Sequence, residues 1–238
     1  MHENLNKIKS LEGPTKIIKN FLSSDEIEKF LKLYSELPVT VNNLKQKVIK
    51  KRWISGLGRE LEQILRERIK LEIGDFTMDN IDEKDGTECL GLFQESFNPI
   101  GLHVDGGFNL KNIIYKQALL PLSNQGETII FKNRYYGPST SFINNEADLK
   151  ENNTENYKKG KNVRSSDHLK MYGNEPFDKN NYEKYLKHED INNLKGLEIE
   201  FVYKWNLGDI FIFDRTHLHC SSCNIHGKKI GLATFTKK

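Results

Sequence analysis

Two textures of apolar and polar positions divide this chain. Near the start, apolar residues recur at helical spacing. Residues 14–22 (Pro-Thr-Lys-Ile-Ile-Lys-Asn-Phe-Leu) predict a short strand and turn. Ser23 and Glu26 fit a capping box. Ile27, Phe30, Leu31 and Leu33-Tyr34 follow on one stripe, and Pro38 comes after the helix. A second helix is predicted over about 57–72, with Leu61, Ile64, Leu65 and Ile69 on one face. From about residue 88 the pattern shifts to strand-length runs. Cys89–Gln94, Asn112–Leu122 and Glu127–Lys132 are predicted strands, the last two joined as a hairpin across Ser-Asn-Gln-Gly. Strands return at Leu197–Trp205, Asp209–Phe213, His217–Ser222 and Lys229–Thr236, with Asn224-Ile225-His226-Gly227 as a turn.

The stretch 137–195 breaks this rhythm. It is dense in Asn, Lys, Glu, Asp and Ser, with a helix predicted near 180–188. A loop of this length inside a compact domain serves as a lid or binding loop in many proteins. A solvated surface insertion or partial disorder is the plainer alternative. Short strands at about ten-residue spacing predict an all-β barrel or jelly roll. The two helices are expected to pack on the outside of one sheet, and residues 1–238 to form a single domain with the polar insertion.

Composition narrows the classes. The chain has 238 residues, with 36 basic and 33 acidic side chains, a formal net charge of +3. That balance is too small to argue for nucleic acid. Mean hydropathy is −0.64, and no run approaches the ~20 apolar residues that span a bilayer. The first residues lack an apolar signal core. Three cysteines make no disulfide framework, so a reducing cytoplasm is the expected setting.

His103-Val104-Asp105 carries the strongest chemical signal. On a strand, residues i and i+2 share a face, so His103 and Asp105 can hold one metal ion together. His219, from another strand, can complete a set of two imidazoles and one carboxylate. That facial set with open positions suits non-haem iron(II) oxygenases. Lys229, ten residues after His219, can supply a positive charge for an acidic cosubstrate. A His-x-Asp is common by chance. A second one, His188-Glu189-Asp190, sits in a charged run that reads as an exposed helix, where i and i+2 diverge; His188 is expected to be solvated.

Taken together, His103-x-Asp105, the Leu119-Leu120-Pro121-Leu122 and Gly126-Glu127-Thr128 segments, His219 with its Cys-Ser-Ser-Cys-Asn tail, and Lys229 resemble the iron(II)/2-oxoglutarate-dependent dioxygenase superfamily. The likeness is nearest to its phytanoyl-hydroxylase-like and prolyl-hydroxylase-like branches and covers most of 14–136 and 196–238. It implies a mainly β, double-stranded β-helix (jelly-roll, cupin-like) fold with N-terminal helices on one sheet. It also implies Fe(II) held by His103, Asp105 and His219, and 2-oxoglutarate as cosubstrate, anchored by Lys229 and Ser221. The family's halogenases have a small residue where Asp105 stands, so hydroxylation is implied, with 2-oxoglutarate and O2 converted to succinate and CO2. The substrate, a small molecule or peptide, is not legible.

Several alternatives stay open. His217 shares the predicted strand face of His219 and would place Lys228 eleven residues on. Cys220-x2-Cys223 beside His217, His219 and His226 has the look of a zinc or redox pair, but a second pair is missing. Arg134 and Tyr135 are candidates for a substrate entrance, or for side chains that only close the barrel rim. Lys159, Lys161 and Arg164 form a basic cluster read as a solvated loop. A catalytically inactive jelly-roll binding protein and a zinc-stabilised interaction module are the rival functions.

Overall fold

The computed structural model describes residues 2–79, 87–105, 112–144, 149 and 163–238. In chain order the main elements are α1 (His2–Ser10), β1 (Lys16–Ile18), α2 (Ser24–Glu36), β2 (Val41–Asn43), β3 (Val48–Ile54), α3 (Arg59–Ile73), β4 (Thr77–Met78), β5 (Cys89–Ser96), β6 (Ile114–Pro121), β7 (Glu127–Arg134), β8 (Ser141–Phe142), β9 (Arg164–Ser165), β10 (Ile199–Lys204), β11 (Ile210–Asp214), β12 (His217–Ser221) and β13 (Lys229–Lys237). Two antiparallel sheets face each other. The larger runs β1-β11-β6-β13-β5-β3-β2, with β4 on β13; the smaller runs β10-β7-β12. This is the mainly β, jelly-roll fold expected.

The helices form as their sequences direct. Ser23 and Glu26 close the capping box of α2, which buries Ile27, Phe30, Leu33 and Tyr34. Helix α3 buries Leu61, Leu65, Ile69 and Ile73 at i, i+4 spacing and ends at Gly74, with φ of 74°. Arg68 binds the Glu26 carboxylate with both terminal nitrogens, at 3.0 and 2.6 Å, which locks the two helices together. Both pack on the large sheet, where Phe30 meets Trp53 edge-on at 5.6 Å. Trp53 and Phe93 therefore face the helices. Among the described residues no helix is long and apolar enough to cross a membrane.

The predicted hairpin of the two central strands does not form. β6 pairs with β11 and β13, whereas β7 pairs with β10 and β12. Residues 122–126 carry the chain from one sheet to the other: the Leu122 N–H bonds the Ile230 carbonyl and the Trp205 N–H bonds the Gly126 carbonyl. The inner faces enclose Ile130, Tyr203, Trp205, Phe211 and Phe213.

Residues 163–195 also depart from expectation. The described part of the polar insertion contributes buried side chains to a core, which the solvated-loop expectation did not foresee. Phe177, Leu186, Leu194 and Leu197 cover the outer face of the small sheet, over Ile129, Phe131, Leu218 and Cys220. The predicted helix near 180–188 appears as Lys179–Asn181 followed by a π turn at Tyr182–Leu186. Lys159 and Lys161 lie outside the described residues, and Arg164 starts β9.

Near the chain's start, Asp214 is a buried hub. It accepts from the Gly13 N–H at 3.0 Å and from Arg134 at 2.5 Å, and it also bonds the Lys116 ammonium.

Candidate metal centre

Residues 100–104 extend the small sheet. His103 and His219 exchange both backbone hydrogen bonds at 3.0 Å, and the Ser221 N–H bonds the Ile100 carbonyl at 2.9 Å. On the other side the Val104 N–H bonds Thr140 and the Phe142 N–H bonds Leu102, each at 2.9 Å. His103, Asp105 and His219 thereby converge, with one ligating atom from each lying within 4.8 Å of the others. Among the described residues this is the one group of metal-ligating side chains so placed. Nε2 of His219 lies 3.0 Å from Asp105 Oδ2, and Nε2 of His103 lies 3.9 Å from Oδ1.

The donor set fits a cation. The His103 Nδ1 sits 2.8 Å from the Gly101 carbonyl, and the His219 Nδ1 sits 3.0 Å from the His217 carbonyl. Each Nδ1 must carry its proton to make that bond, so a neutral ring turns its Nε2 lone pair to the Asp105 carboxylate. At 3.0 Å the His219 Nε2 and the carboxylate oxygen need either a proton or a metal cation between them. Burial, helped by His219, pulls the His103 imidazole down to about 4, so the ring is neutral and able to ligate. Burial opposes ionisation of Asp105, but hydrogen bonds from His219 and Gln117 and the two imidazoles outweigh it and hold its carboxyl well below the usual range. Phe213 packs edge-on against His219, with ring centroids 5.0 Å apart.

Gln117 was not singled out in the sequence. It lies on the inner face of β6 opposite Phe213. It touches Asp105 through a hydrogen bond, yet its own Oε1 is buried with no partner among the described residues.

Lys229 is almost wholly enclosed. Its Nζ lies 4.0 Å from the centre of the Trp205 ring, and 3.4 Å from both Ser221 Oγ and the Glu127 carbonyl. Among the described residues no carboxylate comes within ion-pair distance of it. Burial brings its ammonium down to about 7, opposed by the Glu127 charge. Ser221 is two residues past His219 on the same strand, roughly 7 Å along it. Gly231 makes room for the indole: a Cβ there would meet the Trp205 ring at 2.6 Å. Trp205 in turn donates to Thr128 Oγ1 at 2.8 Å.

The other candidates go elsewhere. A β-bulge separates His217 from His219, because these residues pair with Arg134 and Ile130, so two residues on β12 span four on β7. His217 is fully buried, bonded through Nδ1 to the Phe131 carbonyl at 2.7 Å and 3.9 Å from Asp214. Arg134 is tied to Asp214 and to Thr216 Oγ1 at 3.2 Å. Tyr135 packs against Phe142 at 4.7 Å in the outer core. Neither joins the His103, Asp105 and His219 group. Cys220 lies on the outer face of β12, in the apolar core away from His219, and burial pushes its thiol up; among the described residues Cys223 joins no metal group. His188, expected in solvent, is largely enclosed, and burial pulls its ring down to about 4.

No family model and no curated protein matches the chain. Solved structures do. An oxidoreductase of the 2OG-Fe(II) oxygenase family from Burkholderia pseudomallei superposes with a TM-score of 0.50 at 10% identity, over 99% of this chain and 89% of that one. HygX from Streptomyces hygroscopicus, with nickel and 2-oxoglutarate bound, gives 0.50 at 12%, over 100% and 87%. SnoK, a non-heme alpha-ketoglutarate-dependent carbocyclase from nogalamycin biosynthesis, gives 0.53 at 11%, over 98% and 82%. Over its described residues, this chain has the cupin-like fold of 2OG-Fe(II) oxygenase structures.

Proposed function

We propose that this protein is a non-haem Fe(II)/2-oxoglutarate-dependent dioxygenase that hydroxylates a C–H bond of a small-molecule or peptide substrate. The observation that carries this reading is the convergence of His103, Asp105 and His219 on one point, with a buried ammonium further along the same inner surface. His103, Asp105 and His219 would hold the iron. When bound, iron and 2-oxoglutarate together supply the oxidising power, with 2-oxoglutarate and O2 going to succinate and CO2.

The chain's own residues do the rest. Lys229 offers a charge with no carboxylate partner among the described residues, and Ser221 a hydroxyl beside it, to the far carboxylate of the cosubstrate. A point charge recognises without a fork's directionality, and the Trp205 face and Ser221 restore direction. Gln117 steadies the Asp105 carboxylate. Phe213, against His219, keeps water from that side of the ligand set. In this reading residues 1–238 act as one oxygenase domain, with 137–195 as an insertion. A cytoplasmic setting suits three cysteines that form no disulfide.

The test is direct. Incubation with Fe(II), ascorbate and 2-oxoglutarate should release succinate without added substrate, and Asp105→Ala should abolish the release. A protein that binds neither metal nor 2-oxoglutarate would be a non-catalytic jelly roll instead.

A further inference from the structure

Glu189 is a carboxylate in the wrong place for a surface residue. Its side chain is 9% exposed. Its nearest basic neighbour, the His188 ring at 3.9 Å, is held neutral by burial. An unpaired buried carboxylate is costly unless hydrogen bonds compensate it. The compensation comes from the metal-bearing strand. Oε1 accepts the Leu102 N–H at 2.6 Å, one residue before His103.

The surrounding bonds show what this replaces. Directly opposed residues of an antiparallel hydrogen-bonded pair exchange two bonds. Leu102 and Phe142 make only one of theirs, from the Phe142 N–H to the Leu102 carbonyl. In place of the other, Glu189 takes the Leu102 N–H, and Asn193 Nδ2 donates to the Phe142 carbonyl at 2.9 Å. Asn193 Nδ2 also lies 3.4 Å from Glu189 Oε2. The Asn193 carbonyl is itself 2.8 Å from Nε2 of the buried His168. Two side chains one helical turn apart in sequence are spliced into the ladder beside His103.

We propose that Glu189 is a positioning residue of the metal centre, and that through it the 163–195 segment sets the placement of His103 and Asp105. This rests on the metal-centre reading above. Gly101 supplies an independent handle. A Cβ at Gly101 would meet Glu189 Oε1 at 2.9 Å and, among the described residues other than its chain neighbours, nothing but that carboxyl group within 4 Å. Gly101→Ala should therefore act by pushing the carboxylate off the Leu102 N–H.

The experiment is Co(II) titration of the full chain, followed by its visible absorption bands, with thermal unfolding in parallel. Outer partners of ligands typically contribute about 10–100-fold in metal affinity. Glu189→Leu should weaken Co(II) binding by that range and shift the bands. Glu189→Gln keeps the acceptor and should bind within about threefold of wild type. Gly101→Ala should weaken binding about tenfold on its own and add nothing in a Glu189→Ala background. Wild-type affinity in Glu189→Leu and Gly101→Ala, with only the unfolding temperature lowered, overturns the proposal. So does a Gly101→Ala effect that persists without the carboxylate. If Glu189→Leu does not fold, the Gly101→Ala cycle and Glu189→Gln decide alone. A wild-type chain that takes up no Co(II) would instead defeat the metal reading, and this proposal with it.

Discussion

His103 and His219 face each other across a single antiparallel bridge, with N–H to carbonyl bonds of 3.0 Å in both directions and ring centroids 4.1 Å apart. The pairing of the two backbones, not a flexible loop, sets the spacing of the two imidazoles. Metal affinity should thus follow His219 and not its neighbour. His219→Ala should lose Fe(II) or Co(II) binding while still folding. His217→Ala should keep the metal but cost about 1–3 kcal/mol of stability, since it leaves the Phe131 carbonyl without its partner. Metal content and thermal melts of the two variants separate these outcomes; loss of metal in His217→Ala alone would reverse the assignment.

Lys229 predicts a pH dependence. Burial brings its ammonium down to about 7, and a carboxylate bound against it would raise that value again. Binding of 2-oxoglutarate should take up a proton above about pH 7, and affinity should fall between about pH 7 and 9. Calorimetry in two buffers of different ionisation enthalpy reads the proton count. Lys229→Met should bind more weakly and show no such slope. For folding, the unfolded chain keeps the lysine proton up to about 10.4 and the folded chain only to about 7. The unfolded state holds more protons in that window, so this group's contribution to stability rises with pH across it.

Trp205 and Gly231 predict an optical signal. With the indole face 4.0 Å from the Lys229 ammonium, 2-oxoglutarate should change tryptophan emission in Trp53→Phe and not in Trp205→Phe. Gly231→Ala should tilt the ring and weaken cosubstrate binding while leaving Co(II) affinity in place. An equal response from both tryptophan variants would count against this arrangement.

Leu186 tests whether the polar stretch is a structural layer. It is fully buried, so Leu186→Ala should cost about 2–5 kcal/mol. A residue in a solvated loop would move stability by no more than about 0.5 kcal/mol. Denaturant unfolding decides between them.

The convergence of His103, Asp105 and His219 was legible because half of it depends on local rules. Alternation puts His103 and Asp105 on one face, and the capping box and helix stripes are equally local. What was not legible depends on partners. Whether the strands on either side of 122–126 pair or part to opposite sheets is decided by β10, β12 and β13, not by the five residues between. The bulge that separates His217 from His219 is created by the register of Arg134 and Ile130 on β7. Phe177, Leu186 and Leu194 were diluted among Asn and Lys with no steady period, so their shared core was hidden. Gln117 had no motif, and Glu189 stood only as the middle residue of a His-x-Asp read as solvated; burial and hydrogen bonding reveal both.

The Asp214 hub makes the opening segment of the chain answerable for its closing half. Detaching the first thirteen residues would withdraw the Gly13 amide from a sealed carboxylate and unsettle the strand leading into the distal histidine. Shortened versions should therefore lose integrity at a position some two hundred residues downstream of the cut.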